Sequence, residues 1–249
     1  MRGTLLLLAL VGSVALVPVA DALGANAVLD APGIRIDAAG ADLSLGLKIL
    51  LGLTVLSLAP AILVSMTAFI RIVIVLSMLR HALGMPETPP NTVVISLALF
   101  LTLFTMAPVL HKVNQDGVQP YLAGSIAPEL AARGALAPMR DFMVRQTREE
   151  DLALMVELAR AEQPATVEDI GLVQLIPAFM LSELRAAFQI GFVIFLPFLL
   201  VDLIVSTALM ALGMMMVPPA SISLPLKILL FVLMDGWNLV VRALLGTFA

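Results

Sequence analysis

Cysteine is absent from this chain of 249 residues, which excludes disulfide bonds, thiolate metal sites and cysteine nucleophiles. Charge is scarce as well: charged residues make up 13% of the chain, and its net charge of -4 is not gathered into a basic face for nucleic acid. The sequence also lacks a glycine-rich phosphate loop and paired catalytic carboxylates. We therefore expect no enzymatic activity, no cofactor and no nucleic-acid partner.

Apolar residues are abundant. They make up 61% of the chain, and the mean hydropathy is +1.07, whereas a soluble domain is about half apolar and a quarter charged. This composition predicts an integral membrane protein. No low-complexity linker or repeat of helical-repeat period divides the chain, so we expect one membrane domain, with a polar insert at residues 111–185.

The N-terminus has the pattern of a secretory signal peptide. Arg2 precedes an apolar run at residues 5–17, and the small-residue pattern that ends at Ala22 follows it. The alternative is an uncleaved anchor helix, but the run is short for a bilayer span, which needs about 20 residues. We therefore predict that residues 1–22 are removed, with Ala27 as the alternative cleavage position, and that the domain comprises residues 23–249.

Four apolar stretches predict helices, at residues 43–79, 92–110, 186–212 and 224–245. As one helix the first stretch would be about 55 Å long against a hydrocarbon core of about 30 Å, so Pro60 is expected to kink or break it. A proline-rich turn at residues 84–91 should offer Asn91 or Thr92 as the next helix cap. Hydropathy then predicts four crossings.

The insert should contain one amphipathic helix. Thr147 and Glu150 are spaced as a capping box, which predicts a helix over residues 148–161 with an apolar face that must pack on another element. The acidic residues at 149–151 are interpreted as a solvated first turn, favoured by the helix dipole. No histidine accompanies them, so a metal site is a weak alternative.

Several charged residues interrupt the apolar stretches. Arg71 stands inside the first stretch, where an unpaired charge facing lipid costs several kcal/mol, so it needs a partner unless it snorkels to a headgroup. Asp202 shares a helix face with Met210, and these polar faces should point inward. We predict that Arg71, Asp202, Lys227 and Asp235 are assembly residues that pair within or between subunits.

Three consecutive methionines, Met214, Met215 and Met216, form the link between the third and fourth predicted helices, just before Pro218 and Pro219. Methionine is flexible and polarizable, so it can fill a gap that changes shape. The link is therefore either a soft seal or ordinary hydrophobic packing at a helix end.

Five long motifs occur in order along the chain: FIRIVIVLSMLRHALG, TPPNTVVISLALFLTLFTMAP, FMVRQTREEDL, IPAFMLSELRAAFQIGFVIFLPFLLVD and GMMMVPPASISLPLKILLFVLMDGW. Together they resemble the FliP family, the P subunit of the bacterial flagellar type III export gate, which is shared with injectisome secretion systems. The resemblance covers almost everything from Leu43 onward. The signal peptide and the VPP sequence after the methionines are typical of the flagellar branch.

The resemblance implies an all-α membrane protein whose helical hairpins assemble into a pentameric ring, completed by FliQ-type and FliR-type subunits. This ring forms a closed cone through which unfolded rod, hook and filament proteins pass. A methionine gasket seals the cone in the family, and it carries over to Met214, Met215 and Met216. Other flagellar export and basal-body proteins and membrane lipid are further implied partners.

The implied location is the inner membrane, as a multi-pass protein within the flagellar basal body. Family assemblies are raised toward the periplasm, so some predicted crossings need not contact lipid. An alternative function from another class is a small ion- or proton-coupled transporter that uses Asp202 and Asp235 as titrating groups. A third is a membrane scaffold without a conduit.

Overall fold

The structure, a computed structural model, describes residues 41–159, 169–214 and 216–248, and the predicted signal peptide lies outside them. The chain divides into two compact units, Met1–Ile62 and Leu63–Ala249. Within the described residues every regular element is helical, so the predicted all-α class is confirmed. The described part of the first unit is a single helical segment.

The described residues form nine α-helices and one π-helical segment. In chain order they are α1 Ala41–Met66, α2 Phe69–Ala82, α3 Asn91–Val113, the π-helical segment Asn114–Val118, α4 Gln119–Leu122, α5 Pro128–Gln146, α6 Glu149–Leu158, α7 Leu172–Ala211, α8 Ala220–Leu233 and α9 Gly236–Gly246.

The first apolar stretch breaks after Met66, whereas helix α1 continues through Pro60. Two hydrogen bonds of the Thr67 side chain mark the end of α1 at Met66. The hydroxyl of Thr67 donates to the carbonyl of Leu63, and it accepts a hydrogen bond of 3.3 Å from the main-chain N–H of Phe69. One side chain thus serves main-chain groups on both sides of the break, which a proline cannot do.

The core of the second unit lies where α2 packs along α7. Ile72 and Val75 of α2 are fully buried, as are Leu175 and Phe179 of α7. Burying one such side chain stabilises the fold by about 1.5–3 kcal/mol. The helices approach closely, because a Cβ atom added at Gly191 would lie 2.2 Å from the sulfur of Met78.

Helix α7 begins at Leu172, so the predicted start near residue 186 is wrong. The hydropathy pattern excluded the polar residues Ser182, Glu183 and Arg185 from the predicted helix. In the fold, side chains of other helices form hydrogen bonds with all three. At the N-terminus of α7 the side-chain oxygen of Gln174 accepts a 3.0 Å hydrogen bond from the N–H of Gly171. The polar insert is therefore largely helical at both of its ends.

The turn between α2 and α3 is present where the sequence predicts it, with Gly84 at φ +79° and a cis peptide bond between Thr88 and Pro89. The predicted cap is wrong, because neither of the expected side chains caps α3. The side chain of Asn91 instead accepts a 2.6 Å hydrogen bond from Arg80 Nη1. This contact fastens the end of α2 to the start of α3.

Helix α3 runs past its predicted end into the π-helical segment, and α5 packs against both. The contact is tight at two glycines. A Cβ atom at Gly134 would lie 2.3 Å from the carbonyl oxygen of Asp116, and one at Gly117 would lie 2.8 Å from the Cβ of Ala135. Only glycine allows the two main chains to approach so closely.

Helix α6 packs on α7 through buried Leu152 and Val156, which gives the predicted apolar face its partner. The predicted capping box between Thr147 and Glu150 is wrong. The hydroxyl of Thr147 donates backward to the carbonyl of Met143 at 2.6 Å, and the helix begins at Glu149 without a side-chain cap. The predicted end at residue 161 lies outside the described residues.

The last apolar stretch is two helices rather than one. Helices α8 and α9 are bent by 67° at a break where Asp235 adopts a left-handed conformation, φ 49° and ψ 53°. Gly236 follows, and a Cβ atom there would lie 2.2 Å from the ring of Phe231. Trp237 packs edge-on to the same ring at 5.4 Å, so local packing holds the bend.

Two helical stretches of the described chain are long and apolar enough to cross a membrane, Asn91–Leu122 and Leu172–Ala211. Two bent pairs raise that number to four if each pair is one broken span: Leu56–Met66 with Phe69–Ala82, and Ala220–Leu233 with Gly236–Gly246. The predicted four crossings thus require bent spans.

Candidate functional site

The link between α7 and α8 forms an exposed apolar tip. Gly213 ends α7 at φ +73°, and the N–H of Met214 returns to the carbonyl of Leu209 at 2.9 Å, a glycine-terminated helix end. Met214 is 44% exposed and Met216 is 97% exposed, whereas Met215 lies outside the described residues. We call Met210, Leu212, Met214 and Met216 the methionine tip.

Much of the methionine tip is exposed rather than packed on the described part of the chain. Met216 is almost fully exposed, and Met210 and Leu212 are more than half exposed, so packing against the described residues does not account for these three side chains. The prediction that the polar face through Asp202 points inward is therefore wrong at Met210. An exposed apolar cluster of this kind marks a surface that lipid or another subunit covers.

Arg71 and Glu183 form a buried ion pair between α2 and α7. Nε of Arg71 donates to Oε2 of Glu183 at 2.8 Å, and Nη2 donates to Oε1. The two side chains are 4% and 0% exposed, so snorkelling, the alternative proposed for Arg71, is wrong. Two parallel contacts fix both the orientation and the register of the helices.

The remaining donors of Arg71 tie two further segments to this pair. Nη2 donates to the side chain of Gln146 at 3.1 Å, and Nη1 donates to the hydroxyl of Thr247 at 3.0 Å. The guanidinium also lies 4.0 Å from the ring centre of Phe248, a cation–π contact. Arg71 therefore joins α2, α5, α7 and the C-terminal end of the described chain.

A second polar cluster joins α6 to α7. The hydroxyl of Ser182 donates to Oδ2 of Asp151 at 2.6 Å and accepts the N–H of Arg148 at 3.1 Å. Arg185 reaches Asp151 at 3.4 Å and Glu150 at 3.1 Å. Asp151 is buried, so the interpretation of the acidic run as a solvated turn is wrong for this residue.

Asp202 and Lys227 hold the α7–α8 hairpin together near the methionine tip. Nζ of Lys227 donates to Oδ2 of Asp202 at 2.6 Å. The lysine side chain is 7% exposed and the aspartate side chain 40% exposed, so only the aspartate retains substantial contact with solvent. Eight residues of helix separate Asp202 from Met210, about 12 Å along α7.

Asp235 occupies a different environment. It is exposed at the α8–α9 break, and no ion pair within the described ranges includes it. Arg242, seven residues further along the chain, donates a hydrogen bond of 2.5 Å to the side chain of Asn238. No hydrogen bond between described residues links Asp235 to Asp202, so the structure shows no paired titrating site.

Sequence reasoning missed Glu183, Gln146, Thr247 and Phe248. A signal existed for Glu183, because it is an acidic residue within an apolar helical stretch and such residues usually face protein. The other three have no distinguishing pattern. Across the described residues no group of three or more histidine, aspartate or glutamate side chains could hold a metal ion.

Comparison with known proteins gives a consistent result. The model of the FliP family matches residues 52–244. The chain is 50% identical over 207 residues to the flagellar biosynthetic protein FliP of Bacillus subtilis (strain 168), covering 83% of this chain and 94% of that protein. It is 51% identical over 209 residues to the protein of that name from Pectobacterium carotovorum subsp. carotovorum, covering 84% and 81%. The Aquifex aeolicus (strain VF5) protein is 43% identical over 219 residues, covering 87% and 92%.

Proposed function

This chain belongs to the FliP family, and from that premise we propose that it is a structural subunit of the flagellar type III protein export channel. It forms part of a gated conduit for unfolded rod, hook and filament proteins. The observation that carries this proposal is the match of residues 52–244 to the family model. The chain also aligns with relatives that are named as flagellar biosynthetic proteins, over most of their length. Its membrane-capable helices suit a channel component.

The methionine tip is the proposed gate. Three features support this role: it lies on a turn between two apolar helices, Met214 and Met216 are exposed, and methionine side chains adapt to irregular gaps. In a ring, symmetry brings copies of one tip together around a single axis. An apolar constriction formed there, with Met215 included, excludes water and ions yet yields to a passing chain.

The buried charges have an assembly role in this proposal. Arg71 and Glu183 fix the α2–α7 core, and Asp202 with Lys227 fixes the hairpin that carries the tip. Asp235 is free of ion pairs within the described chain and stands at an exposed bend, so a neighbouring subunit is its proposed partner. A rigid hairpin presents the methionines at a defined position.

The proposed setting is the inner membrane within the flagellar basal body. The subunit is multi-pass, and its proposed neighbours are further copies of itself in a pentamer, FliQ-type and FliR-type subunits, and other proteins of the export apparatus. Its role is structural rather than enzymatic. The transporter alternative is not supported, because the relatives are flagellar and Asp202 is paired with Lys227.

The experiment is complementation combined with native mass measurement. The full chain, expressed in its own bacterium after deletion of the chromosomal gene, should restore secretion of hook protein, and with FliQ-type and FliR-type partners it should purify as a complex containing several copies. A chain that stays monomeric with those partners present, or a deletion strain that secretes normally, would contradict the proposal.

A further inference from the structure

A small pocket lies between the C-terminal end of α3 and the middle of α5. Its volume is about 60 Å³, and it is open to the protein surface on one side. Its walls combine apolar and charged side chains: Pro108, Val109, Lys112, Pro138, Asp141 and Arg145. Val109 and Pro138 are buried and form an apolar floor, whereas the three charged residues are exposed at the rim. Neither the methionine tip nor the buried ion pairs contribute to it.

The rim charges are unused within the described chain. Neither Lys112, Asp141 nor Arg145 forms a hydrogen bond or an ion pair within 4.0 Å of another described residue through its charged group. Two cations and one anion therefore face the same small space. The rim therefore presents both signs of charge, and a zwitterion can pair with both.

The position of the pocket indicates the source of that zwitterion. The stretch Asn91–Leu122 is apolar enough to cross a membrane, and its apolar run ends just before Lys112. Phe104 precedes Pro108 and Lys112 by steps of four residues, so the three follow one side of the helix, and Phe104 is 70% exposed. Exposed Tyr121 lies beyond the pocket, as aromatic residues do at membrane boundaries.

We infer that this pocket binds the headgroup of an ethanolamine phospholipid. The phosphate accepts hydrogen bonds from Lys112 and Arg145, and the primary ammonium donates to Asp141. The acyl chains run along the exposed aromatic side of α3 through Phe104. Glycerol headgroups lack the ammonium, and the quaternary ammonium of choline cannot donate a hydrogen bond, so neither offers Asp141 the hydrogen bond that ethanolamine does. Basic pockets between membrane helices bind lipid headgroups by the same physics.

Native mass spectrometry of the full chain in mild detergent tests the inference. Phosphatidylethanolamine, phosphatidylglycerol and phosphatidylcholine with identical acyl chains are added in equal amounts, and the retained lipid is counted. We expect a preference for ethanolamine lipid of roughly two- to fivefold, as for partly exposed charge pairs. Asp141→Asn should remove that preference while retention of the glycerol lipid is unchanged or rises.

Lys112→Gln and Arg145→Gln should lower retention of all three lipids, because every one carries the phosphate. Lys112→Arg should keep the preference, and Arg133→Gln, an exposed charge on the same α5 helix outside the pocket, is the matched control. The variants change exposed side chains, so their helical circular dichroism should match that of the unmodified chain.

Competition with soluble headgroups separates lipid from a simple anion. Phosphoethanolamine should displace the lipid better than inorganic phosphate does. Equal displacement by the two, equal retention of the three lipids, or an unchanged preference in Asp141→Asn would each overturn the inference.

Discussion

The carboxylate of Glu183 in α7 accepts hydrogen bonds from both Nε and Nη2 of Arg71 in α2, and neither side chain is more than 4% exposed. Removal of one partner leaves a buried charge, so Arg71→Met or Glu183→Leu should each destabilise the protein by about 3–5 kcal/mol. The double variant, which removes both charges, should lose much less than the sum of the two. Thermal unfolding in detergent, followed by circular dichroism, measures this. Additive losses would contradict the pairing, and Arg242→Met, at an exposed arginine, is the control.

Substitutions of Asp202 and of Lys227, the ion pair of the α7–α8 hairpin, should differ in how much they destabilise the protein. Asp202→Asn leaves the buried Lys227, which is 7% exposed, without its counter-ion. We therefore expect the free energy of unfolding to fall by about 3 kcal/mol and less complex to assemble. Lys227→Met leaves an aspartate that is 40% exposed and that water can hydrate, so the loss should be about 1 kcal/mol. Melting temperatures and complex yields compare the two variants. Equal losses of stability would contradict the difference in burial between the two side chains, and normal assembly with altered proton uptake would favour a titrating role for Asp202.

The methionines should close the conduit without building it. Alanine at Met214, Met215 and Met216 together should leave the complex intact, admit small solutes and reduce motility only in part, because the apolar constriction widens. Osmolyte uptake by cells that co-express the partners is the measurement. Met234→Ala is the control, since that methionine is 49% exposed at the other end of α8. Unchanged permeability or collapse of the complex would remove the gasket role.

Two glycines should differ in their tolerance of a methyl group. Gly134→Ala places a Cβ atom 2.3 Å from the main-chain oxygen of Asp116, whereas Gly191→Ala meets the flexible side chain of Met78. We expect losses of about 3 kcal/mol and about 1 kcal/mol, with Met78→Ala relieving the strain of Gly191→Ala. Gly246→Ala, where the new atom would meet nothing within 4 Å, is the control in thermal unfolding. The reverse order would contradict the close helix contact at Gly134.

The mature chain should begin at residue 23. The length of the apolar run at residues 5–17 and the small residues that end at Ala22 favour cleavage there. N-terminal sequencing of the protein from purified membranes decides the matter, and recovery of intact Met1 in the assembled complex would contradict it.

Hydropathy and periodicity were sufficient to predict the class and the existence of the apolar helices, because burial of apolar side chains drives their formation. They were insufficient for helix limits that depend on distant residues. The N-terminal part of α7 is helical across Ser182 and Glu183 because α6 and α2 supply partners, and sequence separation hides those partners. The bend at Asp235 depends in the same way on contact between Gly236 and Phe231.

The site was predictable to a similar degree. The need for a partner of Arg71 follows from its apolar surroundings, but the identity of Glu183 requires the packing of α2 on α7. The three consecutive methionines can be recognised in the sequence, but the exposure of Met214 and Met216 depends on how the α7–α8 hairpin folds. The role of these residues in a channel stays a prediction.

Helix α7 connects the polar cluster around Ser182 to the methionine tip. From Ser182, held by α6, to Ala211, before the methionine tip, it extends about 44 Å as one helix. A tilt of about 5° about Ser182 would therefore move the tip by roughly 4 Å, close to the width of one methionine side chain. The length of α7 would thus turn a small rotation at its polar end into a larger displacement at the methionine tip.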